Sequence, residues 1–406
     1  MSDNLRLLSR VLEDRPAPDF DPLEPETFGS FHREFAELRS KCPVARSEAW
    51  NGFWALLRYE DVLTAAGDPE LFTTTVQNVV PRLAFTGRRP PLHLDPPEHT
   101  PYRRALNPYF TPAKMAGLEP ELRRIVGDLL DPIVRAGGGD ICTGFTHRLP
   151  GYVFAEFFNL TPELGMAIRE ATREFVDAVQ RFDHDRVKRT SLALYDVART
   201  IIAMRRAEPL DPADDPTTGL LEARVDGEPL PEEMLLGTIR QFIVVGMVAP
   251  CVFIGSMVVH LAENPEVQDL LRDDPGLVPA AVEEYLRLLT PYRGFARTPT
   301  RDVEIGGRLI RKDEPVALVY ASANRDESMF PEPHEFVLDR PNIGRHLAFG
   351  AGPHRCAGAP LATLMLGVTL EELLARTSSI ALAGEVTMTG WPEWGTLSVP
   401  TVLTAP

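Results

Sequence analysis

The feature that most restricts the fold is an almost entirely apolar stretch at residues 242–259, FIVVGMVAPCVFIGSMVV. Its length is close to that of a membrane-spanning helix. However, the stretch lies in mid-chain and contains Pro250, and acidic residues crowd both sides of it: Glu232, Glu233, Glu263 and Glu266. A single span here would also place two large polar halves on opposite sides of a membrane. We therefore interpret the stretch as a central helix that is apolar all round because it is buried all round.

The rest of the chain has mainly helical patterns with a few short strands. Helices are expected at 31–41, 59–66, 118–136, 162–180, 191–206, 231–262, 265–272, 277–289 and 359–376, several of them beginning at or just after a proline. Strands are expected at 53–59, 303–310 and 315–320. Segment 72–96 is rich in Thr, Pro and Gly and is expected to be irregular, and loops of that length are usually functional or disordered. No repeat or low-complexity linker divides the chain, so we expect a single domain over 1–406.

Charge and cysteine content exclude several classes of protein. The 42 basic and 58 acidic residues give a net charge of −16, which disfavours nucleic acid and anionic membranes as partners. The four cysteines are scattered and form neither a disulfide framework nor a zinc-ribbon pattern. The first residues lack the apolar core of a signal peptide. We expect a soluble protein of the reducing cytoplasm.

The sharpest chemical signal is the segment 349–362, FGAGPHRCAGAPLA. Gly350 and Gly352 permit a tight turn with positive φ. Cys356 follows, immediately before a helix whose start is marked by Gly358. A thiolate there would face free backbone N–H groups of the helix N-terminus, which lower the pKa of a thiol. The pattern therefore predicts Cys356 as an anionic sulfur ligand for a soft metal.

This segment resembles the ligand loop of the cytochrome P450 superfamily, whose pattern is F-G-x-G-x-H/R-x-C-x-G. Three further stretches agree with the family in the same order along the chain. They are DPPEHTPYRR with His99 and Arg103, EEYLR with Glu284 and Arg287, and FVLDR, which ends in Arg340. Glu and Arg three residues apart lie on one helix face and can pair. The resemblance extends over nearly the whole chain.

The resemblance implies the mainly α-helical haem-thiolate fold with small edge β-sheets, and haem b (iron protoporphyrin IX) as the cofactor. Cys356 would be the axial ligand of the iron, in a loop whose Phe349 and Gly358 also contact the haem. The residues implied to bind the propionates are His99, Arg103, Arg297 and His354. Those implied to form a buried triad beneath the ligand loop are Glu284, Arg287 and Arg340. Such enzymes insert one atom of O2 into a substrate, and the thiolate ligand favours O–O cleavage.

The central helix departs from the family pattern. Where the family has A/G-G-x-D/E-T-T, this chain has VGMVAP at 245–250, with Val248 at the acid position and Ala249 at the alcohol position. Pro250 has no N–H to offer the carbonyl of Gly246, so we expect a kink and a free acceptor over the haem that holds water or O2. The alternative is that Gly246 and Pro250 only bend the helix around the flat cofactor. The same stretch resembles the haem domains of reductase-fused monooxygenases and some aromatic O-demethylases, which favours small aromatic substrates.

The remaining expectations concern substrate, partners and alternatives. The residues expected to line the substrate pocket are Phe85, Phe175, Ile243, Val244 and Val245. Electrons would come from NAD(P)H through a separate ferredoxin or flavin reductase, which would meet basic residues near the ligand loop: Arg104, Arg345 and Arg355. Because the acid–alcohol pair is missing, a peroxide-driven peroxygenase stays open. A non-catalytic haem sensor is the other alternative.

Overall fold

A computed structural model of the protein describes residues 18–24, 28–83 and 85–406. These residues are mainly helical, which confirms the predicted fold class. The helices are α1 (Ser30–Lys41), α2 (Tyr59–Gly67), α3 (His99–Leu106), α4 (Pro112–Arg135), α5 (Leu149–Phe157), α6 (Pro162–Gln180), α7 (His184–Ala207), α8 (Pro216–Glu222), α9 (Glu232–Glu263), α10 (Pro265–Asp273), α11 (Val278–Leu288), α12 (Tyr320–Ala323) and α13 (Ala359–Arg376).

The strands are short. They are β1 (Val44–Ser47), β2 (Phe53–Leu56), β3 (Phe72–Thr73), β4 (Gly138–Asp140), β5 (Arg224–Val225), β6 (Glu228–Pro229), β7 (Phe295–Pro299), β8 (Val303–Ile305), β9 (Arg308–Ile310), β10 (Val316–Leu318), β11 (Ser379–Leu382), β12 (Thr387–Met388), β13 (Thr396–Ser398) and β14 (Pro400–Thr404). The largest sheet has the order β1-β2-β10-β7-β3. In it β10 runs parallel to β2 and antiparallel to β7, with Val316 opposite Arg297. This register holds Arg297 at a fixed place in the sheet.

Helix α9 is the central element of the fold. It packs against α5, α6 and α7 on one side and against β11 and β13 on the other. It is the single helix in the described residues that is long and apolar enough to cross a membrane, but 67% of its most apolar window is buried inside the protein. Core helices commonly pass that test, and the central helix expected from the sequence is confirmed. It is not buried all round, because Val245 and Gly246 are exposed on one face.

Helix boundaries follow local capping signals. At the start of α6 the Thr161 side chain accepts a hydrogen bond from the Leu164 N–H, and Pro162 occupies the first helical position. The predicted bounds of α6 and α13 agree with the structure. Helix α7 begins at His184, earlier than the predicted residue 191, because Asp183 caps it by accepting from the Arg186 N–H.

The strand predictions are correct in place and wrong in length. The predicted strand 303–310 is a hairpin of β8 and β9, because Gly306 and Gly307 both have positive φ and turn the chain. The strand predicted at 53–59 ends at Leu56, and Tyr59 already begins α2. The strand predicted at 315–320 is β10, and Tyr320 begins the short helix α12.

The segment expected to be irregular is irregular. After β3 its described residues form no helix or further strand until α3 begins at His99, apart from an isolated bridge between Val79 and Phe295. This segment packs closely on α9, since a Cβ on Gly237 would collide with the carbonyl oxygen of Arg88. The loop is therefore one wall of whatever lies beside α9.

Candidate active site

The backbone of the segment 349–358 forms a tight loop that presents Cys356. Gly350 and Gly352 have φ of 68° and 66°, and a Cβ on Gly352 would collide with the carbonyl oxygen of Ala66 in α2. The Cys356 N–H donates to the Phe349 carbonyl at 2.8 Å, which closes the loop. Glycine is needed here both for the conformation and for the close approach to α2.

The Cys356 side chain is exposed where it faces a large cavity. Burial by the surrounding protein raises the pKa of its thiol, whereas the N–H groups of Gly358 and Ala359 and the guanidinium of Arg103 lower it. The helix N-terminus therefore acts as the sequence predicts, but burial outweighs it and the net direction is upward. A bound metal ion would favour the thiolate at this position.

The cavity has a volume of about 310 Å³ and lies between the ligand loop and α9. Its wall is mostly apolar and includes six residues of α9 at helical spacing: Phe242, Val245, Gly246, Ala249, Pro250 and Phe253. On the opposite side are the ligand loop and the first turns of α13, including Leu361 and Met365. Apolar side chains on both sides of a cavity suit a flat, largely apolar cofactor.

Basic side chains gather at one end of the cavity: His99, Arg103, Arg297 and His354. Arg297 is buried, and its guanidinium donates to the neighbouring Ala296 carbonyl at 2.9 Å. The His99 Nε2 is buried without a hydrogen-bond partner among the described residues, and its ring lies 4.7 Å from that of His354. Burial, followed by the charges of His354 and Arg103, lowers the pKa of His99 to about 4.

Asp95 is the acid beside this basic group, and sequence reasoning did not single it out. Its carboxylate accepts from Thr74 Oγ1 at 3.0 Å and from Thr73, and it lies 3.2 Å from His354 Nε2. Burial alone would raise the pKa of Asp95, but these hydrogen bonds outweigh burial and lower it. Asp95 therefore positions His354 and leaves the other cations free to meet an anionic ligand.

The predicted triad is buried and fully hydrogen-bonded. The Glu284 carboxylate accepts from Arg287 Nη2 at 2.6 Å and Nε at 2.8 Å, and from Arg340 Nη2 at 3.1 Å. Burial would raise the pKa of Glu284, but the two arginines outweigh it and lower it. Arg287 also donates to the carbonyl of Asn324, whose Oδ1 accepts from the Leu347 N–H at 2.6 Å. The triad is thereby connected to the start of the ligand loop.

This arrangement suits haem: a sulfur ligand, apolar walls, and a group of cations with an unpartnered His99 at the end where carboxylates would lie. The sequence model of the family Cytochrome P450 matches residues 276–384, which contain the ligand loop and the triad. Cytochrome P450 107B1 of Saccharopolyspora erythraea is 34% identical over 367 residues, covering 87% of this chain and 89% of that protein. The chain belongs to the cytochrome P450 family.

Further relatives agree with this assignment. Linalool 8-monooxygenase of Pseudomonas putida is 30% identical over 375 residues, covering 87% of this chain and 90% of that protein. The solved structure of CYP109Q5 from Chondromyces apiculatus superposes with a TM-score of 0.84 at 31% identity, covering 95% of this chain and 98% of that chain. The resemblance identified from the ligand loop is thus confirmed. The chain is a P450 enzyme of the bacterial type, and the cofactor of this family is haem b.

The P450 signature helix is altered in the way that the sequence indicates. Gly246, Ala249 and Pro250 line the cavity, whereas Val248 does not. Helix α9 runs continuously through Pro250, which has no N–H to donate to the Gly246 carbonyl. The space beside Gly246 is open, because a Cβ there would meet Phe154 at 3.9 Å and nothing closer. Free space and a carbonyl without its usual donor coincide at this point of the P450 cavity.

Most of the predicted substrate-pocket residues lie elsewhere. Val245 lines the P450 cavity, but Ile243 and Val244 pack into a separate core cluster beneath α6 and α7. Phe175 is buried in that cluster under the Arg240 guanidinium. Phe85 is exposed and lines a smaller outer hollow. Ile243 and Val244 do not line the cavity because of the helical period. Residues 242, 245, 249 and 253 share the face of α9 that lines the cavity, and residues 243 and 244 lie off that face.

Proposed function

We propose that this P450 inserts one oxygen atom from O2 into a small apolar, aromatic substrate, by hydroxylation or O-dealkylation. The observation that carries the proposal is the apolar cavity between the Cys356 loop and α9, with basic side chains at one end. When bound there, haem supplies O2 activation. Cys356 would ligate its iron, and the propionates would bind His99, Arg103, Arg297 and His354. Phe349 and Gly358 would flank the thiolate, and the triad would support the loop.

Aromatic side chains support the proposed substrate class. Phe110 and Phe157 stack at 5.1 Å, Phe154 and Phe158 stack at 4.3 Å, and Phe242 meets Phe158 edge-on at 5.6 Å. All five line the cavity. Aromatic pairs prefer these offset and edge-to-face arrangements, so a substrate ring would find matching partners on this wall.

Proton delivery is proposed to use water held beside Gly246. Val248 and Ala249 cannot donate protons, and Pro250 leaves the Gly246 carbonyl without its usual intrahelical donor. Water in the open space beside Gly246 would be held by that carbonyl. The catalytic segment is therefore proposed to be Gly246, Val248, Ala249 and Pro250, acting through backbone geometry.

Electrons are proposed to come from NAD(P)H through a separate ferredoxin or flavin reductase in the cytoplasm. Arg104, Arg345 and Arg355 are exposed and provide basic sites for an acidic partner. The peroxide-driven reaction is the alternative, favoured by the missing acid–alcohol pair. Turnover supported by peroxide but not by a ferredoxin and reductase would favour it.

The direct test of the ligand is Cys356→Ser. The reduced parent protein with carbon monoxide should show the red-shifted Soret band of a thiolate-ligated haem, and the variant should lose both this band and turnover. A variant that keeps the band and the activity would contradict the proposed ligand.

The test of Pro250 in α9 measures product formed per NADH consumed, with one redox partner throughout. Pro250→Ala restores the N–H that bonds to Gly246, so coupling should fall and peroxide release should rise while substrate affinity changes little. The double variant Val248→Glu, Ala249→Thr should not couple better than the parent, because residue 248 lies off the cavity face and a carboxyl buried there among apolar side chains stays neutral. Unchanged coupling in Pro250→Ala would show that the proline has a structural role alone.

A further inference from the structure

Arg240 is a buried cation whose hydrogen bonds are incomplete. It lies on α9 with no exposed surface, and its guanidinium stacks over Phe175 at 4.8 Å and Tyr195 at 5.8 Å. Its Nη2 donates to Ser191 Oγ at 3.2 Å. Its Nε and Nη1 have no acceptor among the described residues. Two rings and a serine hold the guanidinium plane in place without neutralising it.

The groups around Arg240 are also basic. Arg89 Nη2 lies 3.0 Å from His93 Nε2, and Arg88 donates to the His93 carbonyl at 3.2 Å. The Arg89 Nε likewise lacks a partner among the described residues. No described carboxylate is close enough to act on Arg240, Arg89 or His93, since the charges felt by these three residues come from arginines and Tyr195. We call these three residues the Arg240 cluster.

A buried group of like charges without a counter-ion is costly. Burial, and then the charge of Arg89, lowers the pKa of Arg240 to about 9. Burial, and then the neighbouring arginines, lowers the pKa of His93 to about 3. Both shifts show that the surroundings oppose positive charge. An anion placed among these side chains would remove that opposition.

The Arg240 cluster lies behind the wall of the active-site cavity, since its three residues do not line the cavity but their neighbours in sequence do. Pro90, Pro91 and Leu92 line the cavity, while Arg89 and His93, on either side of them in sequence, line an outer hollow of about 20 Å³. Gln241, next to Arg240, also lines the cavity, and its buried Oε1 has no partner among the described residues. The hollow has room for a group of about the size of a water molecule, not for a ring.

We propose that the Arg240 cluster is an anion subsite that takes the carboxylate of the substrate, while the ring lies in the apolar cavity over Cys356. The planar guanidinium fork matches a carboxylate and cannot release its proton at neutral pH. Preferred substrates are then aromatic acids. This inference rests on the proposed function, because it names the class of substrate for the same cavity. A free inorganic anion is the other source of the same charge, and the experiment separates the two.

The experiment titrates haem-loaded protein with matched pairs of an acid and its neutral amide, following the haem absorption band. The acids are benzoate, phenylacetate and 3-phenylpropanoate, each paired with its amide. They differ in the number of carbons between ring and carboxylate, so that one of them should span the distance from the haem to Arg240. At the best length the acid should bind about 10–100-fold more tightly than its amide, as expected for charge-assisted hydrogen bonds. Arg240→Met should abolish this preference and leave the affinity for the amide unchanged.

Arg205→Met is the matched control. Arg205 is a buried arginine of α7 whose guanidinium lies 3.1 Å from Asp215 and donates to the carbonyls of Phe158 and Asn159. Its loss should lower stability without changing the preference for acids. If Arg240→Met does not accumulate, Arg240→Lys and Arg89→Met make the same comparison, and each should reduce the preference.

The inorganic arm measures the melting temperature in phosphate and in chloride at constant ionic strength. If phosphate or chloride stabilises the parent but not Arg240→Met, and acids bind no better than amides, the cluster holds free anions and the proposal fails. Equal affinity for acids and amides with oxidation of both would overturn the subsite and leave the proposed function intact. Acids that bind tightly through Arg240 but yield no product would support the subsite and contradict the proposed function.

Discussion

Two buried groups of arginines in this protein differ in whether the chain neutralises them. Around Glu284, two guanidiniums share one carboxylate and fill their other donors with backbone carbonyls such as those of Pro333 and Glu335. In the Arg240 cluster, two guanidiniums and an imidazole share no carboxylate among the described residues. The arginines around Glu284 therefore have their charges and hydrogen bonds satisfied by the protein alone. The Arg240 cluster needs an added anion for this, so the balance of charge separates a structural network from a binding site.

The positions of the two groups agree with this difference. The triad joins α11 to the segment before the ligand loop through Asn324, and it has no surface in the cavity. In the Arg240 cluster, Arg89 and His93 line an outer hollow, and the loop and helix that carry the cluster contribute neighbouring residues to the cavity wall. The structural triad is thus buried away from any cavity, whereas residues of the proposed anion subsite line the outer hollow.

The largest expected effect is that of Glu284→Ala. The substitution leaves Arg287 and Arg340 as two uncompensated buried cations, at a cost of roughly 3–5 kcal/mol. We expect mostly haem-free or insoluble protein, measured as haem per mole of purified chain. Glu283→Ala is the control, since this half-exposed carboxylate on the same helix pairs with His346 at 3.0 Å and should cost at most about 1 kcal/mol. Normal haem content in Glu284→Ala would contradict a structural role for the triad.

The next effect compares the same substitution in the two groups. Arg340→Met takes one partner from Glu284 and should lower the free energy of unfolding by about 3 kcal/mol, because Arg287 still neutralises the carboxylate. Arg240→Met removes a cation that has no counter-ion, so it should cost less than about 1 kcal/mol or should stabilise the protein. Urea unfolding of both variants in anion-poor buffer gives the two values. Equal losses would mean that Arg240 is neutralised by a partner of its own, and the contrast would disappear.

The smallest effect concerns pH and His93. The pKa of His93 in the folded protein, about 3, lies below its unfolded value near 6.5. Between these values the unfolded chain binds one more proton, so stability falls as the pH falls from 6.5 toward 3. His93→Gln removes this uptake and should be more stable relative to the parent at pH 5 than at pH 7.5, by about 1–2 kcal/mol. A bound aromatic acid should reduce the difference, since it raises the pKa of His93. A difference that does not change with pH would show that His93 already titrates near its ordinary value.

Much of the fold could be predicted because its signals are local. Helix α6 begins at a threonine followed by a proline, and α13 begins after a glycine, so both were placed with their correct bounds. Helix α3 was missed because its eight residues, HTPYRRAL, are too few and too polar to show a clear apolar period. The partners of β7 and β14 depend on residues far away in the chain, which no local pattern reveals.

The candidate site, like the fold, could be predicted only where its signals are local. The ligand loop and the triad have short motifs of fixed spacing, so the sequence alone located Cys356 and Glu284. The substrate pocket has no motif, and only the helical period separates Val245, which lines the cavity, from Ile243 and Val244, which lie off that face of α9. Arg240 is itself a signal in the sequence, because it is an arginine only two residues before a long apolar run. A charge on a buried helix demands a partner, and here the sequence near it contains none.

The ligand loop is held by one hydrogen bond of its own and by contacts from two distant parts of the chain. Phe349 closes it through its carbonyl, Asn324 binds the Leu347 N–H, and α2 presses against Gly352. Because these contacts fix the backbone of the loop, the position of the sulfur depends on residues that do not themselves reach the cavity. Substitutions at Asn324 or in α2 should therefore weaken the retention of haem without altering any residue that would contact it.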